Sequence, residues 1–397
     1  MISVDEAIAQ ILDGAQTLDA EAISLGDVSG RVLAEDVVAR ISQPPFAASA
    51  MDGYAVRFCD MAPGAQLSVV GEAPAGAPYD GTVASGEAVR ILTGGAVPSG
   101  ADHVIMQEDV TREGERITIN APQKKPRNIR QAGIDFHQDD ILAKKTARLH
   151  DFHGSIFAAA NVASVSVTRR PRVAIFSNGD ELVEPGATLG PGEIVNSNHI
   201  ALSAMVKSWG GAADYLGCAA DSEDAIAEFF KRARDADIII PIGGASVGDY
   251  DFVKSAFHRA GGETRFEKIA VRPGKPTWFG KFGHARIVGL PGNPASALVT
   301  AALFVQPLVR RLAATQSDAP HFSNAILTQT IAANGARETY LRASAEQGDD
   351  GAMLVTPAPS QDSSLLTPFA SANVLIRRKV NAPAVASGGD VEIVRLR

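Results

Sequence analysis

The chain has 397 residues, 45% hydrophobic and 21% charged, with a net charge of −8; that length exceeds what one hydrophobic core organises, so a soluble protein of several domains is expected. The negative balance argues against a nucleic-acid or anionic-membrane surface, and no apolar run approaches membrane-spanning length. Cys59 and Cys218 stand in unrelated contexts, which excludes a disulfide framework and favours the cytoplasm, and the opening Met-Ile-Ser-Val-Asp-Glu lacks the regions of a signal peptide.

Ser3-Val4-Asp5-Glu6 reads as a capping box, and Val4, Ile8, Ile11 and Leu12 follow at helical spacing, with Gly14 as a stop. This predicts a helix with one buried stripe. The run Ser49-Ala50-Met51-Asp52-Gly53-Tyr54-Ala55 reads by itself as a turn into a strand. Over about residues 67–141, short β-type runs alternate with Gly/Pro turns and helical periodicity is absent, so a small β-rich domain is expected. Within it, Thr93-Gly94-Gly95 is a glycine turn after a strand, and His103 and His137 lack metal-ligand spacing. Helical spacing returns with Phe152, Ile156, Phe157 and Ala160; His150 and His153 share that helix without the cysteine or carboxylate company a metal needs.

From Arg172 onward, buried-strand runs are followed by polar glycine loops. Residues 173–176 run into Ser177-Asn178-Gly179-Asp180-Glu181-Leu182. Asn196-Ser197-Asn198 precedes a helix over about 199–209 and reads first as its N-cap. A weaker strand near Tyr215 leads to Asp221 and a helix over 222–234. Ile238-Ile239-Ile240 is β-branched and unbroken, as expected of a strand buried on both faces of a parallel sheet. It opens on Gly243-Gly244-Ala245-Ser246-Val247-Gly248-Asp249-Tyr250-Asp251, and two more loops follow: Arg272-Pro273-Gly274-Lys275-Pro276 and Leu290-Pro291-Gly292-Asn293-Pro294. Strand and helix alternate from 172 to 313, which predicts a doubly wound α/β domain whose ligand crevice lies at the carboxyl ends of its strands. Glycines there admit a ligand close to the backbone, and successive N–H groups cradle anions. Arg272 and Lys275, set apart by a proline-stiffened turn, suit an oxyanion or a phosphate. Beyond about Asp318, β-type runs punctuated by Gly and Pro predict a small barrel or sandwich. The chain has no dinucleotide fingerprint, P-loop lysine motif or evident Ser-His-Asp set.

The order and spacing of these loops resemble the signature elements of the molybdopterin molybdenumtransferases, the MoeA and gephyrin E-domain family. The likeness runs along nearly the whole chain. It includes the Met51-Asp52-Gly53-Tyr54 run, the Thr93 turn, and Gly133-Ile134-Asp135-Phe136, where Ile134 replaces an acidic residue. Asn178 stands where the family has Thr, and residues 335–342 and 363–366 match the fourth domain more loosely. The resemblance implies an α/β multidomain chain: a split N-terminal α/β domain (1–41 and 139–170), an inserted β-rich domain (42–138), a doubly wound MogA-like molybdopterin-binding α/β domain (171–315) and a C-terminal small β-barrel domain (316–397).

The implied reaction inserts molybdenum from molybdate into adenylylated molybdopterin and releases AMP. By resemblance the catalytic residues are Asp52, Thr93, Glu181, Asp221 and Asp251. Molybdopterin and AMP are expected on Ser177, Gly179, Asp180, Gly243, Gly244, Ser246, Gly248, Asp249, Pro291, Gly292, Asn293 and Pro294. Molybdate is expected on Arg272, Lys275, Ser296, Arg337 and Ser363, a set of three cations and two hydroxyls that suits a tetrahedral dianion. Mg²⁺ is the implied cation, held among Asp221, Asp251 and Glu181, with metal ligand and water activator undivided among the acids. The family further implies a homodimer with a shared active site, and contacts with molybdopterin adenylyltransferase and apo-molybdoenzymes. No nucleic-acid or membrane partner is expected. Two other readings stand beside this one: molybdopterin adenylyltransferase, whose single-domain enzymes would not need the inserted domain, and a non-catalytic molybdopterin-binding scaffold.

Overall fold

The computed structural model describes residues 1–244, 252–315, 320, 322–349 and 351–396. Its contacts divide the chain into Ala22–Val167 and a second unit made of Met1–Glu21 with Thr168–Arg397. Residues 22–41 and 139–167 fall together in the first of these units, while Met1–Glu21 falls in the second. The physical reason lies in the first helix, Val4–Leu12. It is too short to stand alone, and its stripe of Val4, Ala7 and Ile11 is buried in the same core as Val173, Ile175 and Ile238. The capping box is formed: the Glu6 N–H donates to Ser3 Oγ at 3.2 Å, and the Ser3 N–H donates to the Glu6 carboxylate at 2.7 Å.

The unit Ala22–Val167 is built on a six-stranded sheet in the order His103–Met106, Gly53–Val56, Glu87–Ile91, Gln66–Ala73, Arg116–Ile119, Val110–Glu113. Successive side chains alternate across it, so Tyr54 and Val56 enter one core and Ala55 the other. Gly53 opens the strand that carries this pattern because nothing larger fits: a Cβ there would stand 1.9 Å from the Ile105 carbonyl oxygen. A separate core gathers Val28, Leu33, Phe157 and Val165 around the helix His153–Ala159.

In the second unit the α/β sheet runs Ala212–Ala219, Arg172–Asn178, Ile238–Ile242, Ala285–Gly289, Trp278–Phe282, Glu263–Phe266. The first four strands are parallel; the last two extend the sheet antiparallel. Both faces are covered, since Val173 and Ile175 join one core and Ala174 and Phe176 the other. The strand Arg172–Asn178 is followed in sequence by its neighbour on one side and then by its neighbour on the other. That reversal opens a crevice above its carboxyl end. At the opposite end Asp237 receives both Arg169 Nη atoms at 2.7 Å and the Arg172 N–H at 2.7 Å.

Residues 294–312 form one continuous helix, with a π-helical stretch at Ala301–Val305. Pro307 accounts for the stretch: it has no N–H, and in a regular helix its ring would press on the carbonyl four residues back. This helix, Pro294–Leu312, is apolar enough to cross a bilayer (mean hydropathy 1.2), contrary to the expectation of no such run, yet 89% of the window is buried. It is a core helix. The strands Glu338–Gln347, Met353–Pro357, Phe322–Leu327, Asp390–Arg395 and Val374–Arg378 pair in that order, and the last returns to the first, closing the expected small barrel. Val271–Arg272 pairs parallel with Glu338 and Thr339. That pairing brings the Pro-Gly-Lys-Pro loop to the mouth of the barrel.

Candidate active site

At the strand heads, the Ser177 hydroxyl donates to Asn196 Oδ1 at 3.0 Å, and Asn196 Nδ2 donates to the Tyr215 hydroxyl at 2.6 Å. Asn198 Nδ2 donates to the Gly292 carbonyl at 2.7 Å. The Asn-Ser-Asn cluster is therefore not the side-chain cap that its sequence suggests. The helix starts at Asn198 with Ser197 before it, and no side-chain capping bond forms. The Asn196 amide instead ties the heads of two neighbouring strands, and the Asn198 amide holds the 291–294 turn. Asn178 Nδ2 donates to Asp221 Oδ1 at 3.2 Å, and the Asp221 N–H donates to Asp180 Oδ1 at 3.1 Å. These bonds bring Ser177, Asn178, Asp180 and Asp221 together around the crevice. Burial first, then the charges of Glu184, Asp221, Glu181 and Asp180, push the nearby Cys218 thiol up to about 11. Four carboxylates thus stand near the strand heads, and the raised thiol disfavours a thiolate at Cys218. Gly243 hydrogen-bonds Leu290 at 3.0 Å, so the Gly243-Gly244 turn stands beside Pro291-Gly292. Ser246, Gly248, Asp249 and Asp251 lie outside the described residues.

The cations gather elsewhere in the same unit. A cavity of about 690 Å³ is lined by Arg272, Lys275, Ser296, Arg337 and Ser363, so all five side chains expected to hold the oxyanion share one space. Gly274 is required in its wall, because at φ 105° a Cβ would stand 2.1 Å from Thr300 Cγ2. Two cations that sequence reasoning did not nominate, Arg342 and Arg378, line the same cavity, where Asp362 is the acid present among the lining residues. Arg342 is 1% exposed. Its guanidinium donates to the carbonyls of Leu365 (2.7 Å), Asp362 (2.9 Å) and Ser360 (3.3 Å). Burial pulls it below the usual arginine range, with Asp362 opposing. It fixes the 360–365 loop that carries Ser363. Leu341 and Ala343 face the barrel core, so Arg342 lies on the opposite face of its strand, where the 360–365 loop buries it.

The turn 291–294 links the two regions. Asn293 Nδ2 donates to Ser363 Oγ at 3.1 Å and the Ala295 N–H donates to the Ser363 carbonyl at 3.0 Å, while Gly292 is held by Asn198. In the unit Ala22–Val167, Asp52 Oδ1 accepts the Thr93 N–H at 2.7 Å and the Thr93 hydroxyl at 2.8 Å. Those two bonds hold the exposed Asp52 carboxyl below the usual carboxylate range. Arg90 lies over the Tyr54 ring and donates to the Gly53 carbonyl at 3.1 Å, which stiffens the turn.

Three family models match in chain order: the MoeA N-terminal region (domain I and II) over residues 2–161, a probable molybdopterin binding domain over 174–311, and the MoeA C-terminal region (domain IV) over 324–396. The molybdopterin molybdenumtransferase of Haemophilus influenzae is 36% identical over 398 residues, covering 99% of this chain and 98% of that protein. The chain belongs to the MoeA family of molybdopterin molybdenumtransferases. The family member of Bacillus subtilis is 32% identical and covers 100% of this chain, with 94% of its own length matched. A MoeA structure from Pyrococcus horikosii superimposes with a TM-score of 0.84 at 29% identity, covering 100% of this chain and 99% of that one. Membership of MoeA accounts for the presence of both halves, since the strand-head crevice falls in the molybdopterin-binding region and the cation-lined cavity draws on domain IV as well.

Proposed function

We propose that this chain inserts molybdenum from molybdate into adenylylated molybdopterin and releases AMP. The observation that carries this reading is the cavity that brings Arg272, Lys275, Ser296, Arg337 and Ser363 together, joined through the 291–294 turn to a glycine-lined strand-head crevice. A tetrahedral dianion needs positive charge and oriented hydroxyls, and the cavity supplies both. The crevice offers backbone at Gly179, Gly243 and Gly292 for close approach of the pterin nucleotide. Asp52, Thr93, Glu181, Asp221 and Asp251 are the candidate catalytic groups. Asp52, fixed by Thr93 and held below the usual carboxylate range, presents a negative charge at one position, which suits hydrogen-bond acceptance or cation contact rather than proton abstraction.

Mg²⁺ suits the donors at the strand heads, which are carboxylate oxygens. Among the described residues no group of three His, Cys, Asp or Glu side chains could hold a metal by itself. Asp251 lies outside them; with it, Asp221 and Glu181 would hold the cation, and substrate phosphate and water would complete its ligands. When bound, it would neutralise charge developing on the cleaved phosphoanhydride. The working form is a homodimer in the cytoplasm, with the Asp52 turn of one chain completing the site of its partner. Its substrate comes from a molybdopterin adenylyltransferase and its product passes to apo-molybdoenzymes.

The deciding measurement is AMP release from adenylylated molybdopterin with and without molybdate. Release that depends on molybdate, together with molybdenum recovered on the pterin, is the expected result. Formation of adenylylated pterin from ATP instead would make the chain an adenylyltransferase. Pterin binding without AMP release would make it a scaffold.

A further inference from the structure

Ser363 lines the oxyanion cavity from a loop, outside the strands and helices of the fold. Its backbone is fixed twice over: its carbonyl accepts the Ala295 N–H at 3.0 Å, and Arg342 binds the carbonyls on either side at Asp362 and Leu365. None of those bonds decides where its hydroxyl proton points. A serine hydroxyl has one proton to donate and two lone pairs to accept with. The Asn293 amide donates to that oxygen at 3.1 Å. An oxygen already accepting from Asn293 directs its own proton elsewhere, and the cavity lined by Arg272, Lys275 and Ser296 is the anion-seeking space that Ser363 borders.

We propose that Asn293 is the positioning residue that makes Ser363 a hydrogen-bond donor to the oxyanion. The Asn293 side chain is free for this task. It occupies the N-cap position of the helix Pro294–Thr300 yet makes no capping bond. The same turn is anchored on its other side, where the Gly292 carbonyl accepts from Asn198 Nδ2 at 2.7 Å. A residue of the strand-head crevice thus sets the proton of a residue in the cation-lined cavity. This inference rests on the reading of that cavity as the molybdate site.

The test is titration of the full-length protein with molybdate, followed calorimetrically, for wild type, Asn293→Ala, Asn293→Asp, Ser363→Ala and the Asn293→Ala/Ser363→Ala pair. Loss of a hydrogen bond to a charged ligand in Ser363→Ala raises Kd about ten- to a hundred-fold. Asn293→Ala, which leaves the hydroxyl present but free to rotate, raises it about three- to ten-fold, a share of that bond. The double variant matches Ser363→Ala alone, because without the hydroxyl there is nothing left for Asn293 to orient. Asn293→Asp, which can only accept and so takes the Ser363 proton for itself, weakens molybdate more than Asn293→Ala. The thermal unfolding midpoint of every variant stays close to that of wild type, as it would not if the turn had collapsed. Unchanged molybdate affinity in Asn293→Ala, or full additivity in the double variant, overturns the proposal. Wild-type protein that binds AMP but no molybdate overturns the placement of the oxyanion and this inference with it.

Discussion

Lys275 and Arg342 line one cavity with the same charge, but their charges are committed differently. Arg342 is buried and spends its guanidinium on loop carbonyls, so it builds the wall. Lys275 is exposed and lies on the Pro-Gly-Lys-Pro loop. Lys275→Ala is expected to raise the molybdate concentration for half-maximal turnover about ten- to a hundred-fold, the value of one charge-assisted hydrogen bond. Pterin affinity should change less. If pterin binding weakened while the molybdate dependence held, Lys275 would be a phosphate clamp and the oxyanion would sit elsewhere. Lys275 was nominated from the sequence because prolines stiffen its glycine turn and set it a short distance from Arg272, and the structure brings it to the cavity. Arg342 was not: its neighbours in space, the 360–365 loop, stand some twenty residues away in the chain, and no local pattern announces them.

The α/β sheet is tied at its base by the Arg169–Asp237 pair. Arg169 grips both carboxylate oxygens, and its side chain is 29% exposed against 7% for Asp237. Arg169→Ala would leave a buried carboxylate with only the Arg172 N–H, costing about 2–4 kcal/mol, somewhat below the usual loss for a fully buried pair because Arg169 reaches solvent. Denaturant unfolding at pH 7 measures this, and a shift below about 0.5 kcal/mol, the range of an ordinary surface change, would refute it. The pH dependence has a definite sign. Burial raises the Asp237 carboxyl, and the bonds from Arg169 and the Arg172 N–H outweigh it, so the folded value lies below the ordinary one. The stability it contributes is complete above its unfolded pKa of about 4 and is lost as pH falls through the lower folded value. The gap between wild type and Arg169→Ala should therefore narrow in that acid range and hold steady from pH 6 to 8. Element identity was readable here from β-branched runs and glycine loops. The purpose of Asn196 and Asn198 was not, since a polar residue before a helix looks the same in sequence whether it caps that helix or braces a neighbouring loop.

For the whole molecule, the proposed dimer makes a claim about complementation. A chain carrying Asp52→Ala mixed with one carrying Asp221→Ala would form hybrids in which one site has both lesions and the other has neither. A purified heterodimer should then recover roughly half the wild-type rate, since a two-fold assembly carries two such sites. Sedimentation of wild-type protein as a monomer would end the dimer. A verified heterodimer as inactive as its parents would end the shared site.

By itself the sequence determined the class of most segments and nominated the candidate site residues. Hydrophobic period, glycine position and proline position are local properties, and they record where a strand stops and where a loop must admit a ligand. The family likeness of whole loops then carried residues such as Asp52, which local physics would read as an ordinary turn. Tertiary structure alone decided three things. It assigned the first helix to the α/β core, because a buried stripe does not say what covers it. It closed the last strands into a barrel, because pairing between Glu338–Gln347 and Val374–Arg378 depends on register across a long separation. It also set the Asn293 amide 3.1 Å from Ser363 Oγ, seventy residues away in the chain, because a loop finds its hydrogen-bond donor only when the fold places one beside it.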